Sequence, residues 1–233
     1  MRSYSKYASQ NAARESASLP NPGPSGHDSQ GIHRITGRMD YTVFSDFTTA
    51  ECYALNEQLV ALGVGATVLW KGVQLDPTAA SPMRPLDRRA RDHLDDELQS
   101  MRRFAPDLAF TVPKGKPKSE RAILAVASVM RLNISRASAF RDAVFRAYWR
   151  DGTDISVKAE LQRIADSVGV PRFIELDHPD AEETVDGWEL DWATERLGGV
   201  PRVIRGDGKI LWGLRPANEL NEFFSAPART GGS

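Results

Sequence analysis

The residues of this 233-residue chain best suited to do chemistry lie together at positions 44–59, FSDFTTAECYALNEQL. Cys52 is the only cysteine in the sequence, and it falls where a β-rich run hands over to a segment with helical apolar spacing. The free N–H groups and positive dipole end of a helix N-terminus favour an anion, so a thiol there can ionise near neutral pH. The hydroxyl of Thr49 cannot ionise in that range, but it can donate a hydrogen bond to a thiolate carried by another molecule. A simpler reading stands beside this one. Thr48 and Glu51 have the Thr-x-x-Glu spacing of a capping box, and a lone cysteine within a helix is often a small buried hydrophobe.

Composition narrows the classes of function. Hydrophobic residues are 41% and charged residues 26% of the chain, with a formal net charge of −1. That is the balance of a globular protein with a core, and it favours neither nucleic acid nor an anionic membrane as partner. No apolar run approaches the ~20 residues of a membrane span, and no apolar core of a secretory signal opens the chain. A single cysteine suits a reducing compartment, so the expected location is cytoplasmic. His27, His33, His93 and His178 are scattered without metal-ligand spacing, and no metal is expected.

The elements that must position residues 44–59 can be read in order. Residues 1–38 are rich in Ser, Asn, Pro and Gly without periodicity and are expected to form a flexible tail; Met39, just after it, leaves open a start-site artefact. DYTVFSDF (40–47), AECYALNEQLVALGV (50–64) and GATVLWKGVQLDP (65–77) read as strand, helix and strand, a βαβ unit with a parallel pair. Residues 86–104 form a charge-rich helix whose charges read as a solvated face. Three further helical segments follow, SERAILAVASVMRLN, RASAFRDAVFRAYWRDG and SVKAELQRIADSVGV. In the second, Phe140, Val144, Ala147 and Tyr148 recur at helical steps and read as a core face rather than a cofactor box.

The last part returns to mixed structure. RFIELD (172–177) is expected as a short strand, and HPDAEETVDGWELDWATERLGG as a helix broken or started near Gly187. VPRVIRGDGKILWGL reads as a hairpin turning at Gly206, Asp207 and Gly208, and RPANELNEFFS as a closing helix with Pro216 in its first turn. The expected organisation is an α/β domain in two parts, 39–80 and 169–226, with a helical insertion at 81–168 and a flexible C-terminus at 227–233.

Several separated motifs together resemble one family. Ser45-Asp46-Phe47-Thr48-Thr49-Ala50-Glu51-Cys52-Tyr53, Leu75-Asp76-Pro77, the segment FRDAVFRAYWRDGTDIS, Gly199-Val200-Pro201 and Trp212-Gly213 resemble, in order and spacing, the DsbA-like branch of the thioredoxin superfamily. The likeness is to members related to 2-hydroxychromene-2-carboxylate isomerase and kappa-class glutathione transferase. It covers nearly everything from residue 40 to about 224. The resemblance implies an α/β, thioredoxin-like fold with an inserted all-helical domain.

It also implies roles. Where redox members carry Cys-x-x-Cys, this chain has Thr49-Ala50-Glu51-Cys52, so the attacking thiol is replaced by Thr49 and the resolving one kept as Cys52. Isomerase and transferase relatives carry a serine at the first position, which helps hold glutathione. Taken alone, an X–Pro bond is cis in only about 5–6% of cases, and Pro201 could simply open a strand. The resemblance implies a cis bond facing the helix start, with the Val200 backbone pairing to an extended substrate. It gathers Phe47, Thr48, Val200, Pro201 and Trp212 around glutathione or another small thiol, with Thr49 and Cys52 as the catalytic candidates. With no second cysteine, dithiol exchange is excluded. Three readings remain: single-thiol or glutathione-linked chemistry, with glutathione as cosubstrate or a client protein thiol as partner; a glutathione-dependent isomerase or transferase acting on an aromatic or hydrophobic compound; and a non-catalytic binding module. Many relatives are homodimers, and the sequence offers no interface.

Overall fold

A computed structural model describes residues 41–170, 179–195 and 198–225. The expectations for residues 1–38, RFIELD and residues 227–233 lie outside the described residues. β1 (Tyr41–Ser45) is a run of β-branched and aromatic residues suited to a half-buried pleated surface. β2 (Leu69–Gly72) lies parallel to it, Thr42 opposite Leu69 and Ser45 opposite Gly72. The crossover that a parallel pair requires is α1 (Ala50–Ala61).

Four helices follow in sequence: α2 (Arg88–Met101), α3 (Glu120–Leu132), α4 (Ile134–Trp149) and α5 (Lys158–Ser167). After α6 (Pro179–Thr194), β3 (Arg202–Arg205) returns antiparallel to β1, with Phe44 opposite Arg202. β4 (Ile210–Trp212) completes a hairpin and α7 (Ala217–Ser225) closes the described chain. The sheet order is β2-β1-β3-β4. Its parallel pair and hairpin stand where the sequence placed them.

Two expectations change. β2 joins β1 over four residues only, because the preceding segment turns: the Thr67 N–H and hydroxyl both donate to the Val64 carbonyl at 2.9 Å. α6 runs unbroken through Gly187. A glycine inside a helix costs about 1 kcal/mol against alanine, but here its neighbours pack onto the sheet. Trp188 meets Trp70 edge-on at 5.9 Å, Trp192 meets Phe44 at 5.5 Å, and Asp191 pairs with Lys71. Burial of the Trp188 indole and partial burial of that of Trp192 outweigh the local penalty. At Gly72 a side chain is excluded by close approach: a Cβ there would stand 2.6 Å from the Trp70 ring and 2.7 Å from Ile123 of α3.

The helical segment is tied to the βαβ unit through α4. Phe140, Val144, Phe145, Tyr148 and Trp149 are buried, so the apolar periodicity of this helix is core. Phe47 lies between Trp70 and Phe145, with ring centroids 5.1 and 4.6 Å away. Trp149 stacks on Tyr53 of α1 at 5.9 Å with planes 9° apart, and its Nε1 donates to the Phe47 carbonyl at 2.9 Å. Arg146 adds a charged clasp, its Nε donating to Glu57 of α1 at 2.8 Å.

Trp149→Ala is expected to destabilise the protein by about 3–5 kcal/mol, the usual cost of deleting a buried indole. Trp149→Phe keeps an aromatic ring but leaves the Phe47 carbonyl without its donor, at about 1–3 kcal/mol. Urea unfolding of both variants checks the order; equal losses would mean that the ring, not its N–H, is dispensable.

Candidate functional site

The β1–α1 junction is organised by Asp46, which is fully buried. One carboxylate oxygen accepts from the Thr48 N–H at 2.8 Å and the Thr48 hydroxyl at 3.0 Å. The other accepts from the Leu75 N–H at 2.8 Å, beyond β2. The Asp46 carbonyl accepts from the Thr49 N–H at 3.3 Å, and its own N–H points to Cys52 Sγ at 3.5 Å. Thr48 is therefore engaged with Asp46 and the expected capping box does not form. The helix starts one residue later, with Thr49 as N-cap in an extended conformation and no cap bond from its side chain.

Cys52 is 1% exposed. Burial pushes its thiol up to about 12, against the lowering effect of hydrogen bonds from the Ser45 side chain and the Asp46 backbone. At neutral pH, in this geometry, it is a protonated packing group. Thr49 is partly exposed, one turn nearer the helix start. Thr48 is buried. Phe47 is fully buried in the aromatic cluster, with its carbonyl already taken by Trp149.

The other side of the site is the loop before β3. The Val200–Pro201 peptide is cis. The antiparallel register that sets Phe44 opposite Arg202 carries Pro201 and Val200 toward the end of β1, where α1 begins. Val200 takes no part in the turn and loop backbone hydrogen bonds among the described residues. The Pro201 carbonyl accepts from the Gly213 N–H at 3.1 Å and from Arg202 Nη1 at 2.9 Å. Trp212, 44% exposed, stands opposite Arg202 across the hairpin, and the guanidinium lies 3.6 Å from its ring centroid.

Thr49, Cys52 and the Val200–Pro201 loop thus converge on the start of α1, with Trp212 on the rim and Phe47 behind in the core. Asp46 and Arg202 were not singled out from the sequence. Asp46, two residues before Thr48, has the spacing of an Asx turn. Arg202 and Trp212 are equidistant from the Asp207 turn, which is a cross-strand signal. Among the described residues no group of three His, Cys, Asp or Glu side chains could hold a metal ion. No described helix is long and apolar enough to cross a membrane.

Native Cys52 is expected to resist thiol-reactive reagents at neutral pH and to react only as urea unfolds the chain; rapid native labelling would contradict its burial. Linkage gives a second readout. The folded thiol holds its proton above the ordinary value of 9.0, so its contribution to stability is whole below about pH 9 and is lost as pH rises toward 12. The difference in urea stability between the native sequence and Cys52→Ala should therefore stay level below about pH 9 and change in favour of Cys52→Ala above it.

Comparison with known proteins places this geometry. Solved structures of similar fold include a probable DsbA oxidoreductase from Streptomyces coelicolor, at TM-score 0.64 and 17% identity, covering 83% of this chain and 93% of that one. A 2-hydroxychromene-2-carboxylate isomerase matches at TM-score 0.60 and 20% identity, covering 79% and 92%. The cytosolic disulfide reductase DsbM from Pseudomonas aeruginosa matches at TM-score 0.62 and 14% identity, covering 79% and 96%. At these identities the likeness is one of fold. No curated protein matches the sequence. The family model of the DSBA-like thioredoxin domain matches residues 42–225, and the chain belongs to that family.

Proposed function

We propose that the protein binds glutathione at the start of α1 and uses the bound thiol, rather than one of its own, in glutathione-linked chemistry on a hydrophobic electrophile. The observation that carries this reading is the contrast within the motif: Cys52 is sealed at 1% exposure, whereas Thr49 is partly exposed as an N-cap whose side chain makes no cap bond. The first N–H groups of α1 and its dipole favour a thiolate there. Thr49 donates its hydroxyl to that sulfur, and the thiol proton is released to solvent. The Val200 backbone pairs with the extended peptide of the ligand.

Glutathione supplies the nucleophilic sulfur, whose addition to an electrophilic carbon followed by its expulsion is an isomerisation, and whose retention is a transfer. Neither outcome needs a redox-active cysteine from the chain. A mixed disulfide at Cys52, with glutathione or a client protein, would first require the thiol to be uncovered. The structure of the Pseudomonas reductase with GSH supports the idea that this fold can present such a site. A glutathione-rich, reducing cytoplasm suits the reading.

Calorimetric titration tests it. Glutathione should bind the native protein and Cys52→Ala alike, and bind Thr49→Ala about tenfold or more weakly, as expected for loss of a hydrogen bond to a charged group. Absence of binding to the native protein overturns the reading. Dependence on Cys52 but not Thr49 would replace it with single-thiol redox chemistry, and binding without turnover of any hydrophobic electrophile would leave a binding module.

A further inference from the structure

The charges of α2 run in the reverse of the order its own dipole favours. Its first turn holds Arg88, Arg89 and Arg91 and no acidic residue, while Asp92, Asp95, Asp96 and Glu97 come later. A helix dipole is complemented by acids at the N-terminus and bases at the C-terminus, so helix stability does not account for this pattern. Packing does not account for it either: Leu98 and Met101 are the buried residues of this helix, and Leu94 is partly buried. Opposite Leu98 runs a stripe that is exposed along its length, made of Arg89, Asp92, His93 and Asp96 at three- and four-residue steps. Arg88 answers Asp92 within the helix at 3.7 Å. Arg89 and Asp96 have no hydrogen bond or ion pair among the described residues.

A stripe that is basic at one end and acidic at the other is complementary to itself when inverted. Two copies of α2, antiparallel about a two-fold axis between residues 92 and 93, bring Arg89 against the partner's Asp96 and Asp96 against the partner's Arg89. His93 meets the partner's Asp92 at the centre. The step from Arg89 to Asp96 spans about 10 Å along the helix axis, so one register satisfies both pairs. A parallel, in-register pair would set like charge on like. Phe104, 39% exposed just past the helix, adds an apolar group at each end of the contact. A formal net charge of −1 supplies no long-range repulsion to oppose self-association.

We propose that the exposed face of α2 is a self-association surface whose partner is a second copy of this chain, held by reciprocal Arg89–Asp96 pairs in an antiparallel α2–α2 contact. The same patch serves on both copies, as in a two-fold dimer. A helix of 14 residues buries an area at the low end of specific interfaces, and exposed ion pairs each contribute little. The dimer is therefore weak, reversible and sensitive to salt. This inference goes beyond the ligand reading above and does not depend on it.

Sedimentation velocity over a protein concentration series tests it. The native chain should dimerise reversibly at low salt and dissociate at about 1 M salt, where the screening length falls to about 3 Å. Arg89→Glu alone and Asp96→Arg alone should each weaken self-association about tenfold or more, because each sets like charges together at two places in the dimer. Arg89→Gln, which removes the charge without reversing it, should weaken it to a smaller extent. Mixing the two single charge-reversal variants should restore dimers, as heterodimers, since every contact is then between opposite charges. Far-UV circular dichroism checks that these exposed substitutions leave the fold intact. A native chain that stays monomeric throughout the series at low salt overturns the proposal. A dimer that both single variants leave intact overturns it too, since the interface then lies on another face, and so does failure of the mixed variants to associate.

Discussion

A single buried carboxylate holds the β1–α1 end of this fold together. Asp46 ties the last turn of β1 to the chain leaving β2 through the Leu75 N–H, and fixes the approach to α1 through the Thr48 N–H and hydroxyl. The Thr48 donors would otherwise be shielded without a partner, a cost that native structures rarely carry. Because Asp46 takes up Thr48, the N-cap falls on Thr49, and the hydroxyl of that residue is left for something other than the helix. The position of the exposed threonine is therefore a consequence of where a buried acid spends its lone pairs.

The same constraint explains the fate of the cysteine. One turn into α1, Cys52 faces back toward β1, where the Asp46 N–H and Ser45 close over its sulfur. A thiol needs exposure and a positive environment to be reactive, and here the surrounding groups supply shielding instead. At residues 49–52 the exposed polar group is therefore the Thr49 hydroxyl and the thiol is the shielded one.

Behind the site, α4 supplies rigidity. Trp149 spans from Tyr53 on α1 to the carbonyl of Phe47, so the helical segment braces the residues on both sides of Thr49 rather than standing apart. On the hairpin side, the cross-strand partnership of Arg202 and Trp212 sets a guanidinium against an exposed indole. The two sides are built from segments some 150 positions apart in the chain and meet because β3 pairs with β1.

Local pattern was enough for the parallel βαβ unit, the helical segment, the hairpin about Asp207 and the family resemblance carried by the motif at residues 45–53. Alternating and helical apolar spacing is a direct imprint of which face is buried, and turn residues mark their own positions. Pattern misled in two places, one where a second local motif competed and one where distant partners decided. Thr48 and Glu51 have capping-box spacing, yet the carboxylate of Asp46 competes for the hydroxyl. Gly187 reads as a break, yet Trp188 and Trp192 hold the helix on the sheet. Whether Cys52 is buried depended on side chains brought together by strand pairing and desolvated by their neighbours. No local spacing records that, because burial belongs to the packed chain as a whole.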